Sequence, residues 1–145
     1  MTADDLYNRS PEDWDRMVDV GMEFLISRAR LNRPTSYTEF NAVLVSHRLP
    51  GFDFNLQSER TALGQLLYRI TMAHRAKTGR DDLMLSAMAY YLNISDAGPG
   101  FYDFARELHL MPPQGGDKLA FWTGQMAKLH ALYGPSDDLQ NGRQE

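Results

Sequence analysis

The chain contains no cysteine among its 145 residues. This absence excludes disulfide bonds, thiol nucleophiles and cysteine-ligated zinc. The chain also lacks any run of about 18 consecutive apolar residues, so we expect no membrane span. Its first residues, MTADDLYNRSPEDWD, are polar and acidic and do not follow the pattern of a secretory signal peptide. Together these features predict a cytoplasmic protein.

The short motifs that mark common enzyme and metal sites are also missing. The sequence has no Walker motif, no GxSxG or SxxK serine motif and no HExxH. The four histidines stand apart from one another and from paired acids, so we expect no metal ion and no other cofactor. We therefore expect no catalytic residue, and we favour a non-enzymatic module over an enzyme built from scattered residues.

Hydrophobic residues make up 43% of the chain, which is enough for one packed core. Their spacing predicts a single helical domain over residues 1–133, followed by a disordered polar tail over 134–145. We expect about five helices. The first begins at Ser10-Pro11 and ends before Pro34. The second is capped by Ser36, and the third runs from a cap at Asn55 or Ser58 to Gly79.

The segment LMLSAMAYYL, residues 83–92, is apolar on both alternating faces, which favours a strand covered on both sides. A buried helix would have the same composition, and both interpretations stay open. Two further helices follow, and we expect the last to bury Leu119, Trp122, Met126, Leu129 and Tyr133. The prediction is a mainly α fold with a small β hairpin or single strand, arranged like a winged helix.

Charge is divided unevenly along the chain. Residues 1–24 carry a net charge of −5, residues 25–80 carry +6, and residues 81–145 carry −5. A basic middle segment indicates a surface that attracts a polyanion. The alternative is that the basic segment pairs with the acidic ends within one fold.

The third helix carries the candidate binding residues. At a helical spacing its exposed side is expected to hold Thr61, Gln65, Tyr68, Arg69, Met72 and Arg75, with Arg60 at the edge. Arginine and glutamine recognise base edges, and threonine and arginine hold phosphates. The predicted nucleic-acid-binding residues are Arg60, Thr61, Gln65, Arg69, Arg75 and Lys77. The partner expected from this pattern is DNA, RNA or an acidic protein.

The second hypothesis is a protein-interaction or self-associating accessory factor that does not bind nucleic acid. The acidic ends, the eight methionines and the aromatic pairs Phe101-Tyr102 and Phe121-Trp122 favour it. Under this hypothesis a homodimer is expected. A third hypothesis is an enzyme that binds an anion at Gly98–Gly100. No lysine followed by serine or threonine comes after these glycines, so we interpret Asn93 to Gly100 as a turn or wing.

The segments LMLSAMAYYLNISDAGPGFYDFARELHL and LAFWTGQMAKLHALY together resemble a group of small bacterial proteins, many actinobacterial and some linked to phage or defence genes. The matching residues are Leu85, Ser86, Ala87, Gly98, Pro99, Gly100, Phe101, Phe104, Ala105, Phe121 and Trp122. The resemblance covers residues 35–133 and implies no particular activity. This chain departs from the Pro-Gly-x-Gly motif of the group. Its sequence at this point is Ala97-Gly98-Pro99-Gly100, in which the proline stands at a different position.

The order of SYTEF, an ERTALGQLL helix, a strand and a glycine-rich loop is also similar to the winged-helix domain of alkylguanine-type repair proteins. This resemblance implies a DNA-binding scaffold. Those proteins transfer alkyl groups through a Pro-Cys-His-Arg motif. Since this chain has no cysteine, the resemblance does not extend to that chemistry.

Overall fold

The computed structural model describes residues 6–91 and 98–135. The elements in chain order are α1 (Pro11–Leu31), β1 (Thr35–Ser36), α2 (Tyr37–Ser46), α3 (Gln57–Thr78), a 3-10 turn (Leu85–Met88), β2 (Ala89–Tyr90), α4 (Pro99–Glu107) and α5 (Lys118–Tyr133). The predicted mainly α fold with five helices and a small β element is confirmed. In the described ranges, no helix combines the length and the apolar character needed to cross a bilayer.

Local signals place most helix ends correctly. The Ser10 hydroxyl accepts a hydrogen bond from the Asp13 amide at 3.1 Å, which caps the start of α1. Ser36 caps α2 in the same way. Gly79 ends α3 with a φ of 69°, a left-handed conformation that glycine adopts without strain. The predicted cap of α3 was wrong, because Leu56 occupies that position and makes no side-chain cap.

The β element is a parallel pair, in which Thr35 lies opposite Ala89 and Ser36 opposite Tyr90. It joins the chain before α2 to the chain before α4, so β2 does not form a hairpin with a neighbouring strand. The predicted wing, Asn93 to Gly100, lies largely outside the described residues, as does the predicted tail beyond residue 135. The winged-helix arrangement therefore stays a prediction.

The segment Leu83–Ala89 is buried throughout. It passes between α1, α3 and α5, and it forms the 3-10 turn Leu85–Met88 before it enters β2. Residues 83–88 therefore form neither a strand nor an α-helix, and Leu85–Met88 make a single buried turn of 3-10 helix. Both faces are apolar because helices cover the segment on several sides, and regular sheet pairing is confined to two residues.

The buried segment is held by side chains of α5. The Gln125 side chain accepts from the Met84 amide at 2.8 Å and donates to the Asp82 carbonyl at 2.9 Å. The Trp122 ring nitrogen donates to the Ala87 carbonyl at 2.8 Å. These bonds satisfy backbone groups that no sheet or helix partner reaches.

The predicted buried face of α5 was partly wrong. Trp122 and Leu129 are buried as expected, whereas Leu119 is 63% exposed. Gln125, which is only 3% exposed, takes an inward position instead. A polar residue occupies this core position because its amide completes the hydrogen bonding of the buried segment.

Candidate functional site

The six predicted binding residues do not share one face of α3. Arg60 and Arg69 are nine residues apart, which places them on opposite sides of a helix that turns roughly 100° per residue. Lys77 lies roughly 160° around the helix from Thr61 by the same count. Thr61, Gln65 and the intervening helix surface do face outward, and Thr61 is exposed. The exposed ridge of α3 is therefore mostly uncharged.

The three predicted arginines all make contacts within the fold. Arg60 donates to the Phe54 carbonyl at 2.5 Å and to the Gln57 side chain at 2.8 Å. The Arg69 guanidinium lies over the ring of Trp14, 4.5 Å from its centroid. A cation stacked on a buried tryptophan closes the contact between α1 and α3. Arg69 thus has a structural role.

Arg75 turns toward the chain that follows α3, and its guanidinium donates to the Asp81 carbonyl at 2.7 Å. Lys77 is exposed. Within the described part of the chain, no ion pair joins an α3 arginine to an acid of residues 1–24. The alternative in which the basic middle segment pairs with the acidic N-terminal end is thus not seen for α3.

A cavity of about 730 Å³ opens beside the N-terminal half of α3. We call it the main cavity. The described residues that line it are Tyr37, Thr38, Phe54, Asn55, Gln57, Arg60, Thr61, Leu63, Gly64, Leu67, Tyr91, Gly98 and Gly100. Two of the predicted residues, Arg60 and Thr61, therefore come together at one concave site. Ligand sites have this size and this mixture of apolar walls and a few polar groups.

Two tyrosines and a glycine from outside α3 contribute to the lining of the main cavity. The rings of Tyr37 and Tyr91 lie 4.9 Å apart between centroids. Gly98 has a φ of 94°, and a Cβ at this position would lie 3.1 Å from the Tyr91 ring. Only glycine fits this position without strain. The Gly-Pro-Gly sequence thus begins α4 and allows Gly98 to approach Tyr91 closely.

The electrostatics of the main cavity favour a ligand with negative charge. Of its described lining residues, Arg60 is the charged one, and no carboxylate is among them. Residues at the first turns of three helices line the cavity: Tyr37 and Thr38 of α2, Gln57 of α3, and Gly100 of α4. Helix N-termini carry partial positive charge, which adds to that of the guanidinium.

The connector between α2 and α3 forms one end of the main cavity through Phe54 and Asn55. Arg9 holds this connector in place. It is 4% exposed, donates to the Gly51 carbonyl at 2.6 Å and pairs with Glu59. Hydrogen bonds from Arg9 lower the pKa of the Glu59 carboxyl. The ion pair between Arg9 and Glu59 therefore positions the connector at one end of the main cavity, although neither residue is among those that line it.

Sequence reasoning missed the tyrosines, Phe54 and Gly64 as cavity residues. Tyr37 and Tyr91 are far apart in sequence, and the parallel pairing of β1 with β2 brings them together. Gly64 did carry a signal, since glycine within a helix costs about 1 kcal/mol relative to alanine and calls for a reason. A Cβ added at Gly64 would meet no atom within 4 Å, so packing does not explain this glycine.

In residues 6–91 and 98–135, no three histidine, aspartate or glutamate side chains are grouped as a metal ion requires. Comparison of the chain with protein-family models, with curated proteins and with solved structures finds no match.

Proposed function

We propose that the protein is a non-enzymatic nucleic-acid-binding module that holds an unpaired base in the main cavity. The observation that carries this proposal is the cavity itself, which has aromatic walls and no carboxylate among its described lining residues. It lies beside the α3 residues Arg60 and Thr61. The proposal keeps the predicted role of these two residues and does not use Arg69, which lies over Trp14 and is not among the residues that line the main cavity.

Aromatic side chains favour a planar base as the occupant. Proteins bind unstacked bases by stacking them on tyrosine and phenylalanine rings, which contributes about 1–3 kcal/mol per base. Tyr37, Tyr91 and Phe54 supply such rings around a volume of about 730 Å³. Asn55, Thr61 and their polar neighbours at the rim supply donors and acceptors for base edges.

The phosphate of the same nucleotide would lie toward Arg60 and the helix N-termini. A guanidinium and free amides of a first helical turn are the usual phosphate partners in proteins. The caps of α3 and α4, Leu56 and Gly98, make no side-chain hydrogen bond to these amides. Amides without a side-chain cap can bind a ligand oxygen.

Fluorescence anisotropy with a labelled 12-nucleotide single strand tests the proposal at about 50 mM salt, where phosphate contacts are strong. An abasic strand of equal length retains the phosphates and removes the bases. We expect the abasic strand to bind roughly tenfold more weakly, because base stacking is lost. Equal binding of both strands, or binding of neither, would contradict the proposal.

Two matched variants locate the contact. Arg60→Gln and Arg48→Gln remove the same charge, but only Arg60 lines the main cavity, whereas Arg48 is exposed elsewhere. We expect Arg60→Gln to weaken binding several-fold and Arg48→Gln to have little effect. Equal losses would mean that binding depends on overall charge rather than on the cavity.

The alternative, a self-associating module, is favoured by exposed apolar side chains on α3. Tyr68 is 43% exposed and Met72 is 36% exposed, and Phe104 of α4 packs beside Tyr68. The aromatic pair Phe101-Tyr102 that first suggested such a surface is buried in the core and cannot serve it.

Light scattering over a range of protein concentrations tests self-association through this ridge. If the ridge forms a dimer, the measured mass doubles with concentration, and Met72→Lys restores the monomer mass. A constant monomer mass in the unmodified protein would exclude this alternative.

A further inference from the structure

A second cavity of about 190 Å³ lies next to the main cavity, between α3 and α4. The two share Tyr37, Gly64, Leu67 and Gly100 in their walls. A liquid water molecule occupies about 30 Å³, so the second cavity holds a group of roughly six heavy atoms.

The charge on the described wall of the second cavity is opposite to that of the main cavity. Its charged residues are Asp103 and Glu107, whereas the main cavity has Arg60. Asp103 and Glu107 are four residues apart on α4 and therefore lie on the same face of that helix. A ligand that carried charges of both signs would thus place its negative group in the main cavity and its positive group in the second cavity.

One basic side chain offsets part of the negative charge on this wall. Arg106 Nη1 lies 3.7 Å from Asp103 Oδ1, a distance at which the two side chains form an exposed ion pair but no hydrogen bond. The same guanidinium donates from Nε to the Pro112 carbonyl and from Nη2 to the Gly115 carbonyl, so only part of it faces Asp103. Among the described residues, Glu107 forms no ion pair.

Aromatic rings complete the second cavity. Tyr68 and Phe104 have ring centroids 5.0 Å apart and planes tilted by 46°, and Phe101 also lines the wall. Aromatic faces attract organic cations, and rings combined with carboxylates are typical of sites for quaternary ammonium and lysine groups. A carboxylate pair without rings would favour a hard metal ion instead.

We infer that the second cavity binds an alkylammonium group through Tyr68, Phe104, Asp103 and Glu107. This inference does not rest on the nucleic-acid proposal, since the two cavities have different lining charges and are tested with different ligands. The source of the ammonium group is either a free amine or a lysine side chain.

Titration of the ¹⁵N-labelled protein with tetramethylammonium chloride, followed by NMR, tests this inference. Sodium chloride at equal concentration controls for ionic strength, and tert-butanol serves as a neutral group of similar size. We expect saturable shifts at Tyr68 and Phe104 with tetramethylammonium alone. Equal shifts with sodium chloride, or equal affinity for tert-butanol, would overturn the inference.

Matched variants separate the carboxylates from general charge. Asp103→Asn with Glu107→Gln should weaken tetramethylammonium binding roughly tenfold. Asp19→Asn with Glu23→Gln removes two exposed acids at the same spacing on α1 and should leave the affinity unchanged. Equal weakening by both pairs would overturn the inference.

Variants of the ring complete the test. Tyr68→Phe keeps the aromatic face and should keep the affinity, whereas Tyr68→Leu should lower it several-fold. Equal affinity of these two variants would overturn the role of the ring. A capped Gly-Lys-Gly peptide then compares the sources: tighter binding than tetramethylammonium indicates a lysine of a protein partner, and weaker binding indicates a free amine. Either result requires that the ammonium group binds.

Discussion

Arg9 and Glu59 form a two-pronged ion pair, in which the guanidinium nitrogens lie 3.0 Å and 2.9 Å from the two carboxylate oxygens. Arg9 also covers the ring of Phe52 at 4.5 Å. The pair therefore ties the N-terminal segment and the α2–α3 connector to the first turn of α3. Arg9 and Glu59 are fifty residues apart in the sequence, so no local sequence pattern predicts their ion pair.

Replacement of Arg9 by methionine should destabilise the protein by roughly 3 kcal/mol, because it leaves Glu59 and the Gly51 carbonyl without their largely buried partner. Urea unfolding measures this loss. Arg80→Met breaks the exposed pair with Asp82 and should cost less. Similar losses in the two variants would contradict the structural role of Arg9.

The pair should also make stability depend on pH. The folded pKa of Glu59 is lowered, chiefly by hydrogen bonds from Arg9, so its contribution is present above the unfolded value of about 4.5. That contribution is lost as the pH falls through the lowered folded pKa. The unfolding free energy of Arg9→Met should therefore change less with pH in this acidic range than that of the unmodified protein.

Gln125 should be more important for stability than its polar character suggests. Gln125→Met retains the volume but leaves the Met84 amide and the Asp82 carbonyl without partners, at a cost of about 1–3 kcal/mol for each buried group. Gln65→Met on α3 is the control, because Gln65 is half-exposed. Urea unfolding of both variants measures the difference. A loss no larger than that of the control would show that other groups satisfy the segment.

The helices were predictable because their signals are local. Ser10-Pro11, Ser36 and Gly79 act through hydrogen bonds or backbone conformations within a few residues. The cavity was not predictable, because Tyr37, Phe54 and Tyr91 are brought together by long-range pairing. The conformation of residues 83–88 was not predicted, for a related reason. The backbone of this segment forms hydrogen bonds with side chains of α5, and the alternation of apolar residues gives no information about such partners.

The buried side chain of His74 should give the unfolding free energy a second dependence on pH, in the range just below neutrality. It is fully buried, and its ring nitrogen Nε2 lies 2.6 Å from the Tyr133 hydroxyl. Burial, with a smaller effect of Lys77, lowers the pKa of His74 below its ordinary value of 6.5. Below about pH 6.5 the His74 side chain binds a proton in the unfolded chain but not in the folded protein. The free energy of unfolding therefore decreases as the pH falls.

This decrease should continue until the folded pKa is reached, with a slope of at most about 1.4 kcal/mol per pH unit for one proton. Unfolding free energies measured across this range should show the slope in the unmodified protein and lose it in His74→Gln. His47→Gln, at an exposed position, should retain it. A slope that persists in His74→Gln would assign the titration to another group.

Substitutions at Gly64 can separate an effect on protein stability from an effect on ligand binding. Gly64 and Gly124 both lie within helices, and a Cβ added at either would meet no atom within 4 Å. Alanine at each position should therefore stabilise the protein by about 0.5–1 kcal/mol, since glycine costs more backbone entropy on folding. Thermal or urea unfolding measures both gains.

The two positions differ in that Gly64 lines both cavities, whereas Gly124 lines neither. Leucine at Gly64 extends into the space that the base would occupy, and it should abolish the difference in affinity between the normal and the abasic strand. Leucine at Gly124 should leave that difference intact. A folded Gly64→Leu protein that still prefers the normal strand would place the base outside the main cavity.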